Sequence, residues 1–291
     1  MKTKPIHLSY VITTMNKLPF LKVIVEGLLK NVKADDEILI ADGASTDGSV
    51  EYIKSLYDEG KIAYWSSAKD TGEPHGFNKL FFVAKGELIK LITDDDAFYY
   101  PGIEACKQFM LAHPDIDAMG TDGAKRDQNA NGVIRPLRYS PDFEAWKSAS
   151  KPFATCGLGT MMRRSSLPLL GLWNPSFRRA DMEFMLRTTS SKAKIAWCAK
   201  PCFVNISNPQ SISVVYMDKI RNETERLEQF YLGKKPNSYL VCKTKVAWRK
   251  LKALSKKKKE FKQDTWQNIF QSCNEWLAVE NQRNEFKILS K

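Results

Sequence analysis

Ile89-Lys90-Leu91-Ile92-Thr93-Asp94-Asp95-Asp96 is an apolar run that ends in three consecutive carboxylates. Like charges at the end of a buried strand repel one another, and a cation among them relieves the repulsion. For oxygen ligands the expected cation is a hard divalent ion, Mg2+ or Mn2+. A solvated acidic turn that starts a helix is the competing account of three bare aspartates. The surrounding chain decides between the two.

Working outward, Glu87 to Ile92 reads as a strand, preceded by a helix carrying Phe77, Leu80, Phe81 and Ala84 and followed by a helix that opens at Pro101 with Ile103, Cys106 and Met110. Before these lie a strand from His7 to Thr13, a helix opening at Pro19 (Leu21, Ile24, Val25, Leu28), a strand from Glu37 to Ala41, a helix with Val50, Ile53, Leu56 and Tyr57, and a short strand from Ile62 to Trp65. Ala118 to Thr121 reads as a fifth strand, and Gly157-Leu158-Gly159-Thr160 as a close-packed strand without catalytic duty. Strands alternating with helices at this spacing imply an α/β fold, with a mostly parallel central sheet flanked by helices. In such sheets ligands bind beyond the carboxyl ends of the strands. Three polar clusters fall at three such ends: Thr14 to Asn16, Asp42 to Asp47, and Asp94 to Asp96. The topology brings them to one edge, which favours a site over a solvated turn.

The 291 residues are 43% hydrophobic, enough for one large core. The net charge of +12 is uneven: residues 217–291 hold 18 Lys+Arg against 9 Asp+Glu, and the rest of the chain is nearly neutral. The expected division is a catalytic domain over 1–216, with halves of about 1–122 and 123–216, and a basic helical C-terminal extension over 217–291. Cys106, Cys156, Cys198, Cys202, Cys242 and Cys273 are scattered without a C-x-x-C pair and read as reduced thiols of a cytoplasmic chain. No run is apolar enough for a membrane span.

Three segments carry a family resemblance. Ala41 to Ser49 (ADGASTDGS) is similar to V-D-G-x-S-T-D-G-T. Asp70-Thr71-Gly72, Asn78-Lys79 and Ala84-Lys85-Gly86-Glu87 resemble a D-x-G…N-K-G…A-x-G-E series. Asp94 to Asp96 stand where a D-x-D motif follows the strand. Together, from about His7 to Ser213, the chain resembles glycosyltransferase family 2, of GT-A fold, and within it the polysaccharide-building members. It departs at Thr13, where the family usually has Pro, at Met15 (an aromatic), His75 (often Asp) and Leu80 (usually Gly). These departures bear on sugar-nucleotide selection more than on reaction class.

The resemblance implies a metal-dependent, inverting transfer of a sugar from a nucleotide-diphosphate sugar to an acceptor hydroxyl, in cell-surface polysaccharide or glycan synthesis. It places Thr14, Asn16, Asp42, Gly43, Asp70, Asn78, Asp94 and Asp95 in the nucleotide-sugar site, with Asp42 toward the base. The metal, Mg2+ or Mn2+, falls to Asp96 and Asp94, with a register open by one residue that leaves Asp95 as an alternative. Asp47 reads as a helix cap or turn residue. Phe177 to Arg187 (FRRADMEFMLR) is similar to the family's F-x-x-x-D-x-E/D-hydrophobic-x-L-R, which makes Asp181 the general base and Glu183 the alternative.

Lys243 to Lys262 carries ten basic residues against Glu260 alone, over a helical stripe of Ala247, Trp248, Leu251 and Leu254. A second stripe joins Trp266, Ile269, Phe270, Cys273 and Leu277. Two readings stand side by side: peripheral contact with an anionic membrane at its inner face, near a lipid-linked acceptor, and a helical hairpin packed on the domain with its lysines in water. No nucleic-acid-binding motif accompanies the charge. The competing functions are a nucleotidyltransferase, which wants a glycine-rich loop after the first strand where Thr13-Thr14-Met15-Asn16 stands, and a non-enzymatic basic protein that binds nucleic acid or lipid.

Overall fold

The structure is a computed structural model and describes residues 5–126, 132–207, 216–235, 265–283 and 287–290. Its first half is the expected alternation. Strands β1 (Leu8–Thr14), β2 (Asp36–Asp42), β3 (Tyr64–Ser67) and β4 (Leu88–Thr93) are parallel, with Val11 opposite both Leu39 and Leu91. Helices α1 (Leu18–Leu29), α2 (Ser49–Asp58) and α3 (Glu73–Val83) connect them. β1 is buried along its whole length because helices cover both faces of the sheet, so its sequence runs apolar instead of alternating. The third strand begins two residues later than the sequence suggested, while Ile62 is buried just ahead of it.

The second half adds β5 (Ala97–Phe98), α4 (Tyr100–Ala112), β6 (Ala118–Arg126), β7 (Ile134–Leu137), α5 (Ser140–Ala149), β8 (Met161–Arg163), α6 (Leu167–Leu170), α7 (Ala180–Thr189) and β9 (Ile195–Ile206). After these come α8 (Met217–Leu232), α9 (Trp266–Arg283) and β10 (Ile288–Ser290). The sheet runs β10-β9-β6-β8-β4-β1-β2-β3. β6 and β9 are parallel, but the short β8 inserts antiparallel between β4 and β6. Met119 faces Met161, and Met161 in turn faces Lys90.

The strand expected over Gly157–Thr160 is a single 3-10 turn, and the strand starts at Met161. Crowding explains the glycines. A Cβ on Gly157 would lie 2.7 Å from the Trp173 ring and 2.9 Å from the Asp181 Cβ, and one on Gly159 would lie 2.8 Å from the Thr121 carbonyl oxygen. Lys90, buried in the middle of β4, donates to the Leu158 and Thr160 carbonyls and holds this turn against the sheet.

The last elements close the sheet. Leu289 of β10 pairs with Trp197 of β9. Phe270, Cys273 and Leu277 of α9 are buried, and the Trp266 ring meets Phe20 edge-on at 4.4 Å. Burial of Phe270 and Leu277 stabilises the fold by about 1.5–3 kcal/mol each. The second apolar stripe of the tail is therefore packed structure. The basic stretch from Lys243 to Lys262, with Ala247, Trp248, Leu251 and Leu254, lies outside the described residues. Among the described residues no helix is long and apolar enough to cross a membrane.

Candidate active site

The carboxyl ends of β1 and β4, the start of α3, the 3-10 turn and the start of α7 surround one cavity of about 640 Å³. Thr14, Asp70, Asp94, Asp95, Asp96 and Asp181 all line it. The topology thus joins Asp181 to acids almost ninety positions earlier.

The three aspartates differ in their partners. Asp94 and Asp95 share the Lys17 ammonium, at 3.1 and 2.6 Å. Asp96 has no ion pair among the described residues. Its Oδ1 accepts from the Ile206 amide at 2.6 Å and the Asn205 side chain at 3.2 Å, and its Oδ2 accepts from the Thr93 hydroxyl at 2.7 Å. Burial raises the Asp96 pKa, and the neighbouring Asp95 charge raises it further. Asp94 is raised by burial too, against the pull of Lys17. Burial alone would lower the Lys17 pKa, but the charges of Asp94 and Asp95 and their hydrogen bonds overcome it and raise it. Three buried carboxylates at one strand end, two of them paired with Lys17, gather oxygen ligands of the kind a divalent cation takes.

Lys17 and Glu73 escaped the sequence reading. Glu73 sits at the start of α3 on the cavity wall; burial first, then the charges of Asp95, Asp94 and Asp181, raise its pKa to about 8 against the opposing pull of Lys17. Nothing in their local pattern marks either residue, because each reaches the site from a helix start.

Asp181, in the first turn of α7, accepts from the Met182 amide through Oδ1 at 2.8 Å, with the Arg179 guanidinium at 3.6 Å, and from the Gly157 amide through Oδ2 at 3.4 Å on the cavity wall. Glu183 points elsewhere: it is buried against the Arg187 guanidinium at 2.8 Å, with the Tyr231 hydroxyl at 3.5 Å. Two residues along a helix is about 200°, which is why the two acids part. Glu223 of α8, also unmarked in the sequence, accepts from the Arg178 and Arg179 amides at 2.7 and 3.0 Å and so fixes the entry to α7. Arg178 stacks on the Tyr216 ring at 4.5 Å and donates to the Thr71 carbonyl.

Asn16, Asp42, Gly43 and Asn78 do not line the cavity. Asn16, in a left-handed conformation (φ 52°), braces two loops: its amide donates to Ser45 Oγ at 2.7 Å and its Oδ1 accepts from the Thr46 amide at 2.8 Å. Asp47 caps both α1 and α2, accepting from the Leu18 and Ser49 amides. Asp42 is buried; its Oδ2 accepts from the Ser45 amide and the Ser67 hydroxyl, and its Oδ1 has no partner among the described residues. Gly43 lies directly behind Met15 and Asp70, which do face the cavity; a Cβ there would sit 3.2–3.3 Å from both. Asn78 spends its whole amide on Trp173, donating to the carbonyl at 2.7 Å and accepting from the amide at 3.0 Å. Gly86 admits the Ser9 backbone, which a Cβ would approach to 2.5 Å.

The sequence model of Glycosyl transferase family 2 matches residues 9–168. An uncharacterized glycosyltransferase, YwdF of Bacillus subtilis (strain 168), is 28% identical over 238 residues, covering 79% of this chain and 86% of that protein. Among solved structures, S. aureus TarS 1–349 in complex with UDP-GlcNAc superposes with a TM-score of 0.58 at 14% identity, over 76% of this chain and 65% of that one. The mannosyltransferase PcManGT from Pyrobaculum calidifontis, in complex with GDP-Man and Mn2+, gives 0.57 at 14% identity, over 96% of this chain and 88% of that one. The fold is that of the GT-A glycosyltransferases.

Proposed function

Because the chain belongs to glycosyl transferase family 2, we propose that it transfers a sugar from a nucleotide-diphosphate sugar to an acceptor hydroxyl with inversion, using a divalent metal. One observation carries the reading: the three carboxylates at the end of β4 and the Asp181 carboxylate share one cavity. The two GT-A structures bound to UDP-GlcNAc and to GDP-Man with Mn2+ support this class of donor.

Asp94 and Asp96 would hold the metal, Asp96 being the carboxylate that Lys17 does not pair. Bound there, Mg2+ or Mn2+ supplies positive charge to the leaving diphosphate. The unpartnered Oδ1 of Asp42 is a buried acceptor outside the cavity lining that a base N–H would satisfy, with Gly43 packed behind Met15 and Asp70, which line the cavity together with Thr14. Asp181 takes the proton of the acceptor hydroxyl as it attacks. The Met182 amide fixes Oδ1, and Oδ2, held only by the long 3.4 Å contact from the Gly157 amide, is the oxygen that would take the proton. With one base and no second nucleophile assigned, a single displacement inverts the anomeric centre. Asn16 and Asn78 act through position, bracing the loops that form the walls.

The metal reading has a pH signature. The raised pKa values of Asp94, Asp96 and Glu73 mean that the folded, metal-free protein holds protons that the unfolded chain releases near pH 4. Their contribution to stability is present below that pH and is lost as pH rises toward about 8. Mn2+ competes with those protons. The increase in Tm on adding Mn2+ is therefore expected to be larger at pH 8 than at pH 5.5; an equal or smaller increase at pH 8 counts against the site.

The acceptor belongs to cell-surface polysaccharide or glycan synthesis in this reading. The lysines between Lys243 and Lys262 would draw the enzyme to an anionic membrane face, each contributing about 1 kcal/mol. Truncation is the wrong test, since β10 extends the sheet and α9 packs against the core. Neutralising Lys256 to Lys259 as glutamines is expected to weaken salt-sensitive co-sedimentation with anionic vesicles; equal binding of the unaltered chain to neutral vesicles speaks against membrane attachment. The activity itself is tested by incubating the protein with UDP-, GDP- and dTDP-sugars and Mn2+. Consumption of one donor supports transfer, and consumption of none argues against it.

A further inference from the structure

Lys17 stands out because its ammonium occupies the place that a cation would take. It bridges Asp94 Oδ1 and Asp95 Oδ2 at 3.1 and 2.6 Å, and little of its side chain is exposed. Its backbone is fixed: the Lys17 carbonyl accepts from the Phe20 and Leu21 amides to start α1, and the following Leu18 amide is held by Asp47. Only the four-carbon stem is free to move. The acids that face it are Asp94 and Asp95 from the end of β4 and Glu73 from the start of α3, while Lys125, Arg178 and Arg179 line other parts of the same cavity.

We propose that Lys17 is an internal cation that holds the acidic cleft in the free protein and couples metal binding to nucleotide binding. This rests on the metal reading above. An ammonium and a divalent cation that seek the same carboxylate oxygens exclude one another, so metal alone binds the free protein weakly. A nucleoside diphosphate brings new anionic oxygens to the cleft. The ammonium swings from Asp94 and Asp95 to the diphosphate, and the released carboxylate takes the metal. Metal and nucleotide then favour each other's binding, and linkage makes the effect reciprocal. A lysine suits this role, being a point charge on a flexible stem.

The test uses the full chain with Lys17→Met, which keeps the length of the stem and removes the charge. Mn2+ affinity is read from the electron paramagnetic resonance of free Mn2+, without nucleotide and with saturating UDP or GDP. In the unaltered protein the nucleotide is expected to tighten Mn2+ binding at least tenfold. Lys17→Met is expected to bind Mn2+ alone at least tenfold more tightly than the unaltered protein and to show little further gain from nucleotide, while Lys17→Arg retains the coupling. Unchanged or weaker Mn2+ binding by folded Lys17→Met, or undiminished coupling, overturns the proposal and leaves the metal site standing. Absence of Mn2+ binding in every variant with either nucleotide overturns the metal reading and this inference with it.

Discussion

Asp181→Asn is expected to lower turnover by about 10²–10⁴, the span of a lost general base, while donor affinity survives. The substitution is nearly isosteric. An asparagine oxygen still accepts from the Met182 amide, the 2.8 Å bond in the first turn of α7, so the helix start is preserved. What disappears is the capacity to take a proton. Glu183→Gln is the informative control: Glu183 pairs with Arg187 and does not line the cavity, so its loss should lower stability more than turnover. Steady-state rates and donor affinity, measured on both variants, separate the roles. A larger loss of turnover in Glu183→Gln would exchange them, and loss of donor affinity with unchanged turnover would remove Asp181 from the chemistry.

The second large effect is expected at Asp96. Asp96→Ala removes a proposed metal ligand and also abandons the buried Ile206 amide, which costs about 1–3 kcal/mol of stability by itself. Asp96→Asn separates the two effects, because its oxygen still accepts from Ile206 while its charge is gone. Even outer partners of metal ligands change metal affinity by about 10–100-fold, so loss of a direct ligand charge is expected to weaken Mn2+ binding by at least that much. Calorimetry on Asp96→Asn, with Tm as a check on folding, reads this directly. Full Mn2+ affinity in Asp96→Asn together with loss in Asp95→Asn would move the ligand one residue back.

The half of the fold that carries β1 to β4 was legible because its strands are buried on both faces and its helices obey a simple period. Val11, Leu39 and Leu91 fall side by side as such runs require. The rest was harder to read for local reasons. β8 has three residues and no period to detect, and Gly157 to Thr160 turns because Trp173 and Asp181 crowd it from distant positions. The tail's second stripe looked the same whether it met a membrane or a sheet, and only its contact with β9 and Phe20 decides. At the site the acids could be read, because carboxylates at strand ends have few structural uses. Lys17, Glu73 and Glu223 could not, since each is an ordinary residue at a helix start or on a helix face until the fold aims it. Asn16 and Asn78 show the converse: they match motifs and yet serve as braces. Cys106, Cys198 and Cys202, scattered in the chain, have sulfurs within 4.8 Å of one another in the core, a proximity their spacing concealed.

The central claim is that this cavity holds a nucleoside diphosphate through a divalent metal. The most direct measurement is calorimetric titration of the intact protein with UDP, GDP and dTDP, each in Mn2+ and again in EDTA. The account predicts that at least one of them binds in Mn2+ and that its binding is lost in EDTA. Equal affinity in EDTA, or no binding of any of the three in either condition, would contradict it.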